Sequence, residues 1–289
     1  TALVARFVGA DMVKKANATA KQSLVVTAIC GALVSIIGYL LTPWVMTLMG
    51  ARPEVRPLGI TYMKIVCLGL GFRTVSTVCS SALRGAGDAR TPMAVNLTAN
   101  LVNVVGNYLL IYGHWGFPRW EIAGAAVATS FADATACGLF LTVLFSGRSL
   151  IKVSFRSKYR LDWNILSRVF TIGVPAAVEQ LILRGGQVIY VRIVSSIGTT
   201  VLAAHQIGMN ILSLSFMPGQ AFSIAATTLV GQGLGAKDPD LAERSALETS
   251  RMGMTISTMI AGFMFFFGRS IAGLYTNDPQ VVESTAMVL

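Results

Sequence analysis

The segment SLVVTAICGALVSIIGYLLTPWVMTLM, from Ser23 to Met49, decides the class of fold. It carries no charged side chain and exceeds the roughly 20 residues a helix needs to cross a bilayer core. Similar runs cover Leu58 to Leu83, Met93 to Tyr112, Ile122 to Phe145, Arg168 to Ile197, Thr200 to Gln232 and Met252 to Tyr275. The pattern predicts seven complete membrane spans, with part-spans before Ala10 and after Val281. Helices are expected because an isolated strand leaves its backbone unsatisfied in lipid. Barrel strands would alternate polar and apolar residues, and these runs do not.

Composition agrees with this reading. Only 12% of the 289 residues are charged, 54% are hydrophobic, and the mean hydropathy is +0.65. A soluble domain of this length carries about 25% charged residues. The net charge of +10 would suggest nucleic acid in a soluble protein. Here the basic residues fill short gaps between apolar runs, so no nucleic-acid partner is expected and the charge reads as topology. Lys14, Lys15, Lys21, Arg84, Arg90, Lys237, Arg244, Arg251 and the stretch from Arg148 to Arg168 lie in one set of alternate loops. The other set holds only Arg52, Arg56, Arg119 and Arg269. The richer side is expected to be cytoplasmic, which places a multi-pass protein in the plasma or inner membrane among lipids. Cys30, Cys67, Cys79 and Cys137 all fall within apolar runs without metal-site spacing, and read as small buried residues.

Thr200 to Gln232 is long for one span, since at about 1.5 Å per residue it would reach about 50 Å. Pro218 in its middle removes a backbone donor, and a bend is expected there.

Sliding the chain along itself by 226 residues reveals a repeat. Thr1-Ala-Leu-Val4 falls on Thr227-Thr-Leu-Val230, Gly9-Ala10 on Gly235-Ala236, Ala16 on Ala242 and Ala20 on Ala246. Leu48, Pro53 and Val55 fall on Leu274, Pro279 and Val281 in the same register. Each copy reads as a helix end, a short polar turn, a small-residue amphipathic stretch and a span. An even number of spans separates the copies, so they share one orientation and form parallel repeats. The expected fold is an all-α integral membrane protein of two six-helix lobes related by a pseudo-two-fold axis, twelve helices in an intact parent. Residues 1–146 form the N-terminal lobe, 147–163 a basic cytoplasmic linker and 164–289 the C-terminal lobe. Both ends fall within apolar stretches, so truncation at each end is expected.

Several segments then resemble the multidrug and toxic compound extrusion (MATE) family. They are LRGAGDARTP from Leu83, NLTANLVNVVGNYLLIYG from Asn96, GAAVAT from Gly124, GVPAAVEQ from Gly173, AAHQI from Ala203, FMPG from Phe216 and AATTLVGQ from Ala225. They span essentially the whole chain in family order. The resemblance implies antiport of drugs or other organic cations against Na+ or H+, with no cofactor, by a monomer whose lobes enclose a V-shaped cavity. It also implies a cation site using Asn103, Asn107 and Thr129, since matching positions in some members hold Asn and Asp. This chain has an amide at Asn107, which takes up no proton at physiological pH. The acid often present on the family's first helix would precede residue 1.

Ionisable residues within spans are functional candidates, because lipid penalises charge. They are Lys64, Arg73, Asp133, Glu179, Arg184 and Arg192. Lys64 and Arg192 lie near span ends and are expected to snorkel. Asp133 and Glu179 can bind a cation or carry a proton, or pair with Arg73 or Arg184. Asp133 lies one turn beyond Thr129 and is the expected substitute for the missing acid. Gln180, Gln206 and Asn210 are candidates to line the second lobe's cavity, or to bond between helices. Met264-Phe-Phe-Phe267 is expected to face lipid or to pack. An enzyme is not expected, because His114 and His205 are the only histidines and neither sits in an acid–His cluster. The alternative function is a lipid-linked saccharide flippase of the same wider superfamily, which Arg73 and Arg184 would suit.

Overall fold

A computed structural model describes residues 1–48, 53–147, 149–153, 162–197, 199–275 and 283. Among them the chain forms eight α-helices, one 3-10 turn and no strand. The helices are α1 (Ala2–Gly9), α2 (Val13–Leu48), α3 (Arg56–Gly85), α4 (Arg90–Tyr112), α5 (Glu121–Ser146), α6 (Trp163–Ile197), α7 (Thr199–Gly235) and α8 (Pro239–Tyr275). The fold is all-α, as the hydropathy pattern requires.

Among the described residues, six helices are long and apolar enough to cross a membrane by length and composition: α2, α3, α4, α5, α6 and α8. α7 occupies the seventh expected position as one helix of 37 residues, longer than the roughly 20 needed to cross a bilayer core. The helix runs through Pro218 without ending. The amphipathic stretches lead into spans, in the expected order. Residues from Val13 and from Pro239 are continuous with α2 and α8, because small helix-forming residues there give the chain no reason to stop. Of the second set of repeat positions, Leu48 and Leu274 lie in α2 and α8 and Pro53 and Val55 in a turn, whereas Pro279 and Val281, with residues 148 and 154–161 of the linker, lie outside the described residues.

The chain divides into two compact units. The first is Thr1–Asp162 with Leu234–Lys237, and the second is Trp163–Gly233 with Asp238–Leu289. In the first unit α3 packs on α2 and α5, and α5 packs on α4. Leu83, Phe140, Leu144, Ala16, Ala20 and Cys79 form its buried centre. Small residues set the helix spacing, as is usual where packing rather than hydrophobicity holds helices together in lipid. A Cβ on Gly106 would lie 3.0 Å from the Ala128 Cβ, and one on Gly124 would lie 2.5 Å from the Leu110 carbonyl oxygen. The Ser130 hydroxyl donates across the α3–α5 contact to the Ile65 carbonyl at 3.0 Å.

The repeat is visible in backbone geometry. After α1, the Asp11 amide donates to the Val8 carbonyl and the Met12 amide to the Phe7 carbonyl. After α7, the Lys237 amide donates to the Leu234 carbonyl and the Asp238 amide to the Gly233 carbonyl. These are the paired bonds of a Schellman motif, which needs a left-handed residue just past the helix. Asp11 (φ 55) and Lys237 (φ 60) occupy that position, and they are the same 226 residues apart.

In the second unit, Gly233 lies against the backbone of Ala242, Gly253 against the Phe222 ring, and Tyr190 beside His205 with ring centroids 5.1 Å apart. Phe265, Phe266 and Phe267 are exposed, as expected for lipid-facing residues, whereas Met264 is buried. Cys30 is also exposed, which differs from its expected burial; all four cysteines are free thiols.

Candidate functional site

α5 packs against both α3 and α4, while α3 and α4 touch each other far less. The gap between α3 and α4, floored by α5, is a polar cavity of about 490 Å³. Its lining follows from helical periodicity. On α3, Arg73, Thr77, Ser80 and Arg84 recur at the spacing of one helix face, joined by Ser76. On α4, Asn96, Asn100 and Asn103 recur in the same way. On α5, Thr129 and Asp133 stand one turn apart between the small residues Ala132 and Ala136.

One end of the cavity holds a short chain of hydrogen bonds. The Asn107 amide donates to the Asn103 side-chain oxygen at 3.0 Å, and the Asn103 amide donates to the Thr129 hydroxyl at 3.3 Å. That hydroxyl donates to the Ala125 carbonyl at 2.9 Å. The Asn107 side-chain oxygen is buried without a partner. A row of amide and hydroxyl oxygens beside a carboxylate is a donor set for a hard monovalent cation, or a proton carrier held by neutral dipoles.

Asp133 is half-buried and is the only acid in the lining. Arg73 lines the same cavity, yet among the described residues the two form no ion pair. The fixed ion pair of Asp133 with Arg73, expected as one alternative, is not formed among the described residues. Arg184 instead donates to the Gln187 side-chain oxygen at 3.1 Å. Lys64 of α3 sits over the Tyr39 ring of α2, 5.0 Å from its centroid.

The other candidates fall in the second unit and are less organised. Glu179 and Gln180 are exposed on α6, and Gln206 and Asn210 are exposed one turn apart on α7. None of these four side chains has a hydrogen-bond or ion-pair partner among the described residues. The Asn210 carbonyl accepts from the Ser213 hydroxyl at 2.6 Å. Among the described residues, no cluster of three or more His, Cys, Asp or Glu side chains can hold a metal ion.

Sequence reasoning singled out Asn103, Thr129 and Asp133, which the cavity gathers. It missed Asn96, Asn100, Ser80 and the inward position of Arg84. The signal was present in the spacing of the asparagines through an otherwise apolar run. A separate apolar cavity of about 630 Å³ lies between α2, α3 and α5, lined by residues such as Leu24, Ile36, Phe72 and Phe145.

Comparison with known proteins adds three kinds of likeness. The MatE family profile matches residues 1–109 and 175–289. A probable multidrug resistance protein NorM of Thermotoga maritima is 30% identical across 98% of this chain and 61% of its own length. A FAD transporter of Shewanella oneidensis is 28% identical across 96% of this chain and 61% of its own length. An outward-facing structure of a multidrug resistance MATE transporter of the MOP superfamily superposes with a TM-score of 0.89. It is 21% identical and covers 99% of this chain and 63% of that one. The chain thus spans about three-fifths of the length of the relatives it matches.

Proposed function

The chain belongs to the MatE family, and from that premise we propose that the protein carrying it is a secondary active transporter that exports drugs or other organic cations in exchange for Na+ or H+. The single observation that carries the reading is the α3–α4–α5 cavity, where one carboxylate stands beside an amide–hydroxyl row. An antiporter needs a group whose occupancy by ion or solute favours different states of the protein. Asp133 fills that role: it holds the ion's charge, while Asn103 and Thr129 offer neutral oxygens. Asn107 orients Asn103 by donating to it and contributes no titrating group.

The names of the relatives support export of organic compounds, and the parallel repeat supports alternating access by two lobes. The lobes are residues 1–146 and 164–289, joined by a basic linker at 147–163. The positive loops face the cytoplasm in this reading, and the monomer sits in the plasma or inner membrane, with Na+ or H+ as coupling ion and no cofactor. Arg73 and Arg84 in the cavity favour a second reading, transport of an anionic solute such as a lipid-linked saccharide; the FAD transporter relative points the same way.

The test is ethidium efflux from everted vesicles containing the complete protein, with sodium and pH gradients imposed separately. Efflux driven by either gradient supports the antiporter and names the ion. Folded protein that moves no ethidium under either gradient contradicts it and favours the anionic solute.

A further inference from the structure

The charges lining the first unit's cavity do not balance. Two guanidiniums, Arg73 and Arg84, face one carboxylate, Asp133. Arg73 and Asp133 line the cavity together. Arg84 stands three helical turns away on the same face of α3, about 16 Å along the axis at 1.5 Å per residue, with no acid beside it in the lining. Among the described residues it has no ion-pair partner, and its Nε is buried without a hydrogen-bond partner. One turn before it, Ser80 is 4% exposed, and its hydroxyl is also buried without a partner. The Asn96 and Asn100 amides line the same end of the cavity from α4. Buried polar groups are normally satisfied, and unsatisfied ones cost free energy unless a ligand completes them. A guanidinium, a hydroxyl and two amides are all hydrogen-bond donors, and together they suit an oxyanion.

We propose that this end of the cavity is an oxyanion subsite, with Arg84, Ser80, Asn96 and Asn100 holding the carboxylate or phosphate of a bound molecule. The inference rests on the cavity being the transport site. It deepens that reading by naming a solute class: zwitterions, whose cationic part lies towards Asp133 and whose acid group lies at Arg84. The two ends of one cavity then read two charges of one molecule.

The test uses a matched fluorescent pair, rhodamine 110, which has a free carboxylate, and rhodamine 123, its methyl ester. Fluorescence polarisation measures the binding of each to the complete protein in phosphatidylcholine nanodiscs, with no ion gradient. The expected result is that rhodamine 110 binds about tenfold or more tightly than rhodamine 123, as one charge-assisted contact allows. In Arg84→Gln that preference falls to about one because rhodamine 110 loses affinity; Arg84→Lys keeps most of it, which separates lost charge from lost fold. Nanodiscs containing phosphatidylglycerol distinguish the source of the oxyanion. An unchanged preference assigns the subsite to solute. A preference that vanishes there, with phosphatidylglycerol retained in native mass spectra by the wild type but not by Arg84→Gln, assigns the same subsite to a lipid headgroup. Equal affinity for the two dyes in both membranes, with no Arg84-dependent lipid retention, overturns the proposal. Because binding needs no gradient, that failure is distinct from a failure of ethidium efflux.

Discussion

The two units place polar residues in apolar helices with different degrees of order. In the first, Asn103, Asn107 and Thr129 are linked by hydrogen bonds, and Asp133 shares their cavity. In the second, Glu179, Gln180, Gln206 and Asn210 are exposed and unlinked among the described residues. The helices differ in the same sense. Gly106 and Gly124 bring α4 and α5 into close contact beside the hydrogen-bonded residues, whereas among the described residues a Cβ on Gly185 or Gly186 of α6, near Glu179 and Gln180, would meet nothing within 4 Å, although Gly233 and Gly253 elsewhere in the second unit are closely packed. Close approach and polar order go together for a physical reason. A side-chain hydrogen bond between helices needs its donor within about 3 Å of its acceptor, and small residues make that spacing possible. A charged residue in such a place is held for chemistry, while one on an open face can turn to other surroundings.

The largest expected effect comes from removing each unit's acid. Asp133→Asn should lower gradient-driven efflux by at least about tenfold, since that corresponds to only about 1.4 kcal/mol. Glu179→Gln should change it far less, by under about threefold on the same scale. Vesicle efflux assays at matched protein levels measure both, and the opposite ranking would move the coupling site to the second unit.

Packing gives the next effect. Gly124→Ala places a methyl against the Leu110 backbone carbonyl, and should cost about 1–3 kcal/mol, as overpacking does. Gly185→Ala, with open space around it, should be neutral or gain up to about 1 kcal/mol from helix propensity. Thermal unfolding of the two purified variants in one detergent reads the difference. Equal shifts would mean that both units are packed alike.

A subtler change sharpens the account of Asn107. Asn107→Asp replaces the donor to Asn103 with a group that can titrate. Efflux measured from pH 6 to pH 8 should then gain a pH dependence of about two- to threefold relative to the wild type. A profile that matches the wild type would remove Asn107 from the ion site's surroundings.

The smallest effect concerns the repeat. Lys237 holds a left-handed conformation that costs a non-glycine residue about 1–2 kcal/mol. Lys237→Gly should therefore stabilise the protein by about 1 kcal/mol, seen as a small rise in unfolding temperature. No rise would mean that the lysine side chain compensates for the strain.

Much of the fold was legible before any coordinates. Apolar runs longer than a bilayer is thick leave few options, so the long helices follow directly. The register from Thr1 to Thr227 located a turn whose hydrogen bonds recur at the same offset. The boundaries were less legible, because the Val13 and Pro239 stretches are amphipathic and give no stop signal between surface helix and span. In the site, Asp133 stood out as a charge in an apolar run. Asn96, Asn100 and Ser80 did not, because a neutral polar residue in a membrane helix more often bonds a neighbouring helix. Only the gap between α3 and α4 distinguishes those that face a cavity. The position of Arg84 was masked by its motif, which also explains the turn into α4.

The most direct test of the central claim measures ion release from the purified complete protein when ethidium binds. Reciprocity of linked binding requires each ligand to weaken the other if they exchange. The account predicts that ethidium releases Na+ or H+ from the wild type and none from Asp133→Asn. Equal release from both proteins would contradict it, because the ion would then be held elsewhere.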